Sequence, residues 1–188
     1  MAEHKDLPDA QLHEPKGAAS ASAGQVYISD GAGSGSWVRP TGWETHLDGT
    51  YTSSSKLAIT AGTRTKVTID GTALALGQDL ATWDTSTNRL VAEGNNFCYH
   101  IRLDFKCSST TAGIIDIEYS AGGVQTLLTR TVSFSKGSSV TNSVVSSLEV
   151  FAGPPVTSNG GFEFYITPDQ NIDAWDFGIF IVRSHYAY

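Results

Sequence analysis

Residues 97–107 read FCYHIRLDFKC, and their order divides in two. Phe97, Tyr99, Ile101, Leu103, Phe105 and Cys107 alternate with Cys98, His100, Arg102, Asp104 and Lys106. Successive side chains of an extended strand point to opposite faces, so this stretch has one apolar face and one wet face, as a strand does in an antiparallel sheet covered on one side. A slip of one residue would bury Arg102, Asp104 and Lys106, which holds the register firmly.

Further strands follow on both sides. Downstream, residues 114–119 place Ile115, Ile117 and Tyr119 inward, and SAGG at 120–123 supplies a hairpin into residues 124–134, where Val124, Leu128, Val132 and Phe134 share a face;. Residues 144–151 form another strand, ended by Gly153, Pro154 and Pro155, and FEFYI at 162–166 lies between an SNGG turn and Pro168;. Upstream the signals are weaker: Tyr51, Leu57 and Ile59 suggest edge strands, and Val67 and Ile69 alternate within residues 65–69;. This many strands, with no amphipathic helix beyond a turn or two, predict an all-β, antiparallel two-sheet sandwich. The last strand, FGIFIV at 177–182, is apolar on both faces. Its outer face needs a cover, either a loop of the same chain or another subunit, and in the second case Phe177, Ile179, Phe180, Ile181 and Val182 form the interface.

Composition narrows the class. At 188 residues the chain can bury a core without metals or disulfides;. Only 16% of residues are charged, and the net charge of −7, with no run of Lys or Arg, argues against nucleic-acid binding;. The first residues, MAEHKDLP, hold neither a basic nor an apolar leader region, and no apolar run is long enough to span a bilayer, so synthesis in a cytoplasm without membrane insertion is expected;. Cys98 and Cys107 on one strand would lie about 30 Å apart, too far to pair.

The front of the chain is different. Residues 6–17, DLPDAQLHEPKG, offer only Leu7 and Leu12 as apolar surface, while Pro8 and Pro15 keep the preceding backbone extended;. The segment reads as a peptide that another body must hold. Three parts are expected: an extended arm and linker over 1–24, short β or stem pieces over 25–42, and a display domain over 43–188. Pieces as brief as 25–29 and 37–39 cannot make an independent sheet, and packing on or between larger bodies, as in a trimeric stem, is the expectation.

Residues 83–101, WDTSTNRLVAEGNNFCYHI, resemble the pattern of the tumour-necrosis-factor and complement C1q jelly rolls, through Trp83 with Asp84, the small polar turn at 85–88, Arg89, Gly94, and Phe97 with Tyr99. FGIFIV is similar to the C-terminal strand of that superfamily. The resemblance implies a TNF/C1q-like jelly roll that trimerises. The front segment, through HEPKG at 13–17 and DGAGSGSW at 30–37, resembles the N-terminal peptides of tailed-bacteriophage virion proteins that precede a trimeric display domain. That resemblance implies a homotrimeric decoration or head-fibre protein on the virion surface, assembled in the host bacterial cytoplasm. Its arm residues Leu7, Pro8, Leu12, His13, Glu14, Pro15, Lys16 and Gly17 would bind the major capsid protein or another virion scaffold protein. The alternative is a tail-fibre or receptor-binding module that recognises host surface glycans through loop aromatics, with Trp43 and Trp175 as candidates.

No catalytic set is legible. Cys98 and His100 lie two apart on a strand, but neither an orienting Asn or Asp nor an oxyanion-type loop accompanies them, so an enzyme is not expected. The histidines at 4, 13, 46, 100 and 185 have no ligand spacing, although a trimer axis would gather three copies of His185;. The acid pairs Asp169 with Asp173 and Asp116 with Glu118 read as solvated carboxylates rather than a calcium site. No cofactor is expected. Trp83 and Trp175 have a second reading, as closures of the sandwich core.

Overall fold

The computed structural model describes residues 20–29, 35–39, 41–78, 80–92, 97–153, 156 and 158–185. In chain order the strands are β1 (Val26–Ser29), β2 (Gly35–Val38), β3 (Gly42–Leu47), β4 (Leu57–Ile59), β5 (Thr65–Lys66), β6 (Leu74–Gln78) and β7 (Trp83–Asp84). They continue as β8 (Arg89–Leu90), β9 (Phe97–Ser109), β10 (Gly113–Ala121), β11 (Gln125–Phe134), β12 (Gly137–Phe151), β13 (Phe162–Pro168) and β14 (Ile172–His185). No α-helix occurs among the described residues.

The chain divides into two compact units, Met1–Pro40 and Thr41–Tyr188. In the first, β1 and β2 pair with each other as an antiparallel hairpin. Tyr27 and Trp37 meet edge to face across it, with ring centroids 5.5 Å apart. The two short pieces thus pair with each other. The expected arm residues 7–17 lie outside the described residues.

The second unit is a jelly roll of two six-stranded antiparallel sheets. The first sheet runs β12-β9-β14-β3-β6, with β4 also on β14, and the second runs β11-β10-β13-β8-β7, with β5 also on β13. Along the chain β9, β12 and β14 of the first sheet interleave with β10, β11 and β13 of the second, so the connections repeatedly cross between layers as a jelly roll requires;.

The alternation at 97–107 is realised, except that Cys98 on the outer face is itself buried. Tyr99, Ile101, Leu103, Phe105 and Cys107 are all buried against Ile115, Ile117 and Tyr119 of β10 and Phe162, Phe164 and Ile166 of β13. Phe105 stacks on Phe177 at 5.3 Å, and Tyr119 meets Phe164 edge to face at 5.4 Å. Some expectations change. Val124 is 79% exposed in the turn between β10 and β11 and does not share the face of Phe134. Gly122 and Gly123 there have φ of 57° and 75°, which carries the turn one residue further than SAGG suggests;. Trp43 and Trp175 lie on strands β3 and β14, not in loops, and Trp83 opens β7. Strands β3 and β6 had given little signal, because both lie toward the open edge of the first sheet, where burial does not impose alternation;.

Two buried carboxylates tie local structure to this frame. Glu44 is only 2% exposed and faces the core from β3. It accepts from the Thr82 and Trp83 backbone N–H groups at 2.8 and 2.9 Å, from Thr82 Oγ1, and lies 2.9 Å from His46 Nε2. Burial alone would raise its pKa, but the hydrogen bonds from His46 and Thr82 outweigh it and the net shift is downward;. Because β3 and β7 belong to different sheets, Glu44 links the two layers at their edge. Glu163 on β13 is held by Lys66 Nζ at 2.8 Å, by Arg89 Nε at 2.9 Å and by Tyr165 OH at 2.6 Å. Burial opposes its ionisation too, yet these partners bring its pKa down to about 2.

Replacing Glu44 with Leu should cost about 3–5 kcal/mol in chemical denaturation, because it strands buried N–H donors, whereas Glu44→Gln, which keeps an acceptor, should cost less. The depressed pKa of Glu163 adds stability above its ordinary value of 4.5 that is lost as the pH falls through about 2;. The wild-type melting temperature should therefore drop over that window, and Glu163→Gln should show a flatter acid limb, with a difference on the order of 2 kcal/mol near neutrality.

Candidate functional site

Two broad surfaces result from this packing, and they differ in kind. The outer face of the second sheet is mostly polar, although Ile114 is 41% exposed on it, and several of its charges are paired within the chain. Arg64 grips Glu118 through two hydrogen bonds of 2.7 Å and lies 3.3 Å over the Tyr165 ring. The Arg64 hydrogen bonds hold the Glu118 pKa below its usual value. Glu163 is neutralised by Lys66 and Arg89 beside it, and Asp116 accepts from Thr131.

The outer face of the first sheet is different. Strand pairing builds it in rows. One row places Glu149, His100, Val182, Trp43 and Gln78 side by side; the next places Ser147, Arg102, Phe180, Thr45 and Leu76; a third places Val145, Asp104, Gly178, Leu47 and Leu74. Val145 is 60% exposed, Phe151 and Leu76 53%, and Leu47 41%. Trp43 and Phe180 pack with centroids 6.2 Å apart, and together with Val182 and Gln78 they line a shallow groove of about 320 Å³. Arg102 reaches over the Phe180 ring at 5.7 Å and pairs with Asp104. Around the margin stand Lys106 with Asp176 at 3.0 Å and His100 with Glu149 at 3.9 Å. The β9 charges divide this face: Trp43, Phe180, Val182, Leu47 and Leu76 lie on the β14, β3 and β6 side, and Val145 and Phe151 on the β12 side, and large apolar side chains exposed on adjacent strands are a feature of protein contact surfaces;.

The expected interface residues separate on this surface. Phe177, Ile179 and Ile181 point into the chain's own core and are fully buried there, since β14 lies between β9 and β3 in the middle of the sheet. They are not available to a second subunit. Phe180 and Val182 are the members of the set on the outer face, where they stay half-buried. Leu47, Leu76, Val145 and Phe151 join them. The sequence carries no local signal for that grouping, because it depends on which strands lie side by side.

The aromatic candidates part in the same way. Trp175 is 4% exposed and covered by the Lys56 ammonium 4.3 Å from its ring centroid, so it offers no open platform. Trp43 is half-buried and belongs to the apolar face. Cys98 and Cys107 are free thiols, both buried. Burial pushes the Cys107 thiol up to about 11, and burial with the nearby Glu149 raises that of Cys98, which keeps both protonated at neutral pH;. Among the described residues no three His, Cys, Asp or Glu side chains gather as a metal-binding group. The side chain of His185 lies outside the described residues.

No protein-family model matches the chain, and no curated protein matches it in sequence. Among solved structures it is similar to the PRD1 vertex protein P5, with a TM-score of 0.44 and 17% identity over 89% of this chain and 84% of that one. It is also similar to Eiger TNF from S. frugiperda, with a TM-score of 0.43 and 13% identity over 80% of this chain and 96% of that one.

Proposed function

We propose that the chain is a structural protein of a phage virion, a homotrimer whose N-terminal arms attach to the capsid or another virion scaffold protein and whose jelly rolls face outward. The observation that carries this reading is the asymmetry of the two sheet faces. The second sheet's outer face pairs its own charges and is built to meet water, whereas the first leaves Trp43, Phe180, Val182, Leu47 and Leu76 on adjacent strands with no cover among the described residues. A closed cyclic assembly covers the same strip on every copy and leaves none exposed. Within it the Arg102, Asp104 and His100 charges set register rather than strength, because exposed pairs contribute at most about 1 kcal/mol each.

Attachment falls to residues 1–24. Leu7 and Leu12 fill pockets on the scaffold, Glu14 and Lys16 set orientation, His13 and Gly17 complete the HEPKG stretch, and Pro8 and Pro15 reduce the entropy lost on ordering;. Each arm binds modestly, and three on one trimer bind together by effective concentration. Host-glycan recognition through Trp43 and Trp175 has less to support it, since both rings lie on strands and Trp175 is buried.

Sedimentation at micromolar concentration should give a trimer. The double substitution Phe180→Glu with Val182→Glu should give a folded monomer with association weakened by more than roughly 100-fold, because like charges then meet in the buried contact. A wild-type monomer would remove the subunit reading. Deleting residues 1–17 should leave a folded trimer that no longer joins particles, and normal incorporation of that truncation would remove the arm reading.

A further inference from the structure

The ladder between β9 and β12 breaks at one end of the first sheet. Gly137 pairs with Ser109, the next pair is Asn142 with Cys107, and residues 138–141 stand opposite Ser108 alone. An insertion of this kind lifts the strand away and frees the backbone it faced. Two features hold the distortion in place. Asn142 Oδ1 accepts from the Ser135 N–H at 2.9 Å, while its Nδ2 donates to the Ser135 carbonyl at 3.1 Å. Gly137 has φ of +132°, and a Cβ there would come within 2.7 Å of Val140 Cγ2;.

The break opens a cleft of about 280 Å³. Ala58, Asp173 and Ser108 form one row across three adjacent strands, and Ser138 of the displaced strand, Thr60 and Asn171 also line it. Neither the Ser108 hydroxyl nor the Asp173 carboxylate is taken up by a hydrogen bond or ion pair among the described residues. Cross-strand neighbours lie about 5 Å apart, so these two groups reach the same small ligand. A carboxylate accepts from two hydroxyls at once, and serine hydroxyls both donate and accept, a set that suits the adjacent hydroxyls of a pyranose ring. The lining has no basic side chain, which disfavours anionic sugars, and one carboxylate is too few for a calcium cage;. The volume accommodates one sugar unit.

We propose that this cleft binds one neutral hexose unit, with Asp173 accepting from two adjacent hydroxyls and Ser108 and Ser138 bonding a third. Along β9, Ser108 is six residues from Arg102, about 20 Å, so the site stands clear of the Phe180 row and does not depend on the subunit contact;. Affinity per site is low, and repeated copies on a particle supply the avidity.

Backbone amide spectra of the full chain, titrated separately with the methyl glycosides of glucose, galactose, mannose and N-acetylglucosamine and with calcium chloride, test this. At least one glycoside should shift residues 58–60, 108–110 and 171–173 saturably. Asp173→Ala and Ser138→Val, both at exposed positions, should weaken that binding, the first by at least about tenfold, while Arg130→Ala, at an exposed position on the other sheet, binds as wild type;. No saturable shift with any of the sugars, an undiminished shift in Asp173→Ala, or these shifts produced by calcium alone would overturn the proposal.

Discussion

The structure depends on β9 being paired on both sides, with β12 along one edge and β14 along the other. That double pairing makes the alternation of residues 97–107 a property of the whole sheet. Once Ile101 and Leu103 face inward, their partners Leu148 and Ser146 on β12 and Ile181 and Ile179 on β14 are committed to the same side. Arg102 and Phe180 are committed to the other. A one-residue slip would bring Arg102, Asp104 and Lys106 into a core that holds no partners for them, at several kcal/mol for each charge.

The buried carboxylates follow from the same geometry. Glu44 stands opposite Ile181 on β14, so register alone would waste a charge in the core. It is retained because the start of β7 brings the Thr82 and Trp83 donors to it, and the two layers are joined there. Glu163, by contrast, lies on the outward side of β13, and its partners Lys66 and Arg89 come from the short strands β5 and β8 that flank it. One acid joins the layers from inside, and the other ties short outer strands to a long central one.

The difference between the two outer faces gives the molecule its polarity. Charges that pair within one chain have little to gain from a partner, whereas apolar side chains left in water have a driving force of about 25 cal/mol per Å² to be covered. The break in β12 adds a third kind of surface, neither paired nor apolar, in which hydroxyl and carboxylate groups are left over.

Strands with a clear inside and outside were legible from the residues alone: β9, β10, β13 and the apolar end of β14 could be read because burial on one face writes a two-residue period into the chain;. Strand β3 could not, since Trp43, Glu44 and His46 make sense only once β14 and β7 lie beside them. The same limit explains Phe177, Ile179 and Ile181, whose apolar character is visible in sequence but whose direction, into their own core, is set by neighbours more than 70 residues away in the chain. The amino-acid order by itself determined the class, all-β and antiparallel, because periodicity is local. Only the tertiary structure decided which apolar residues are left outside and where the ladder opens, because a surface is made by strands that sequence does not place side by side.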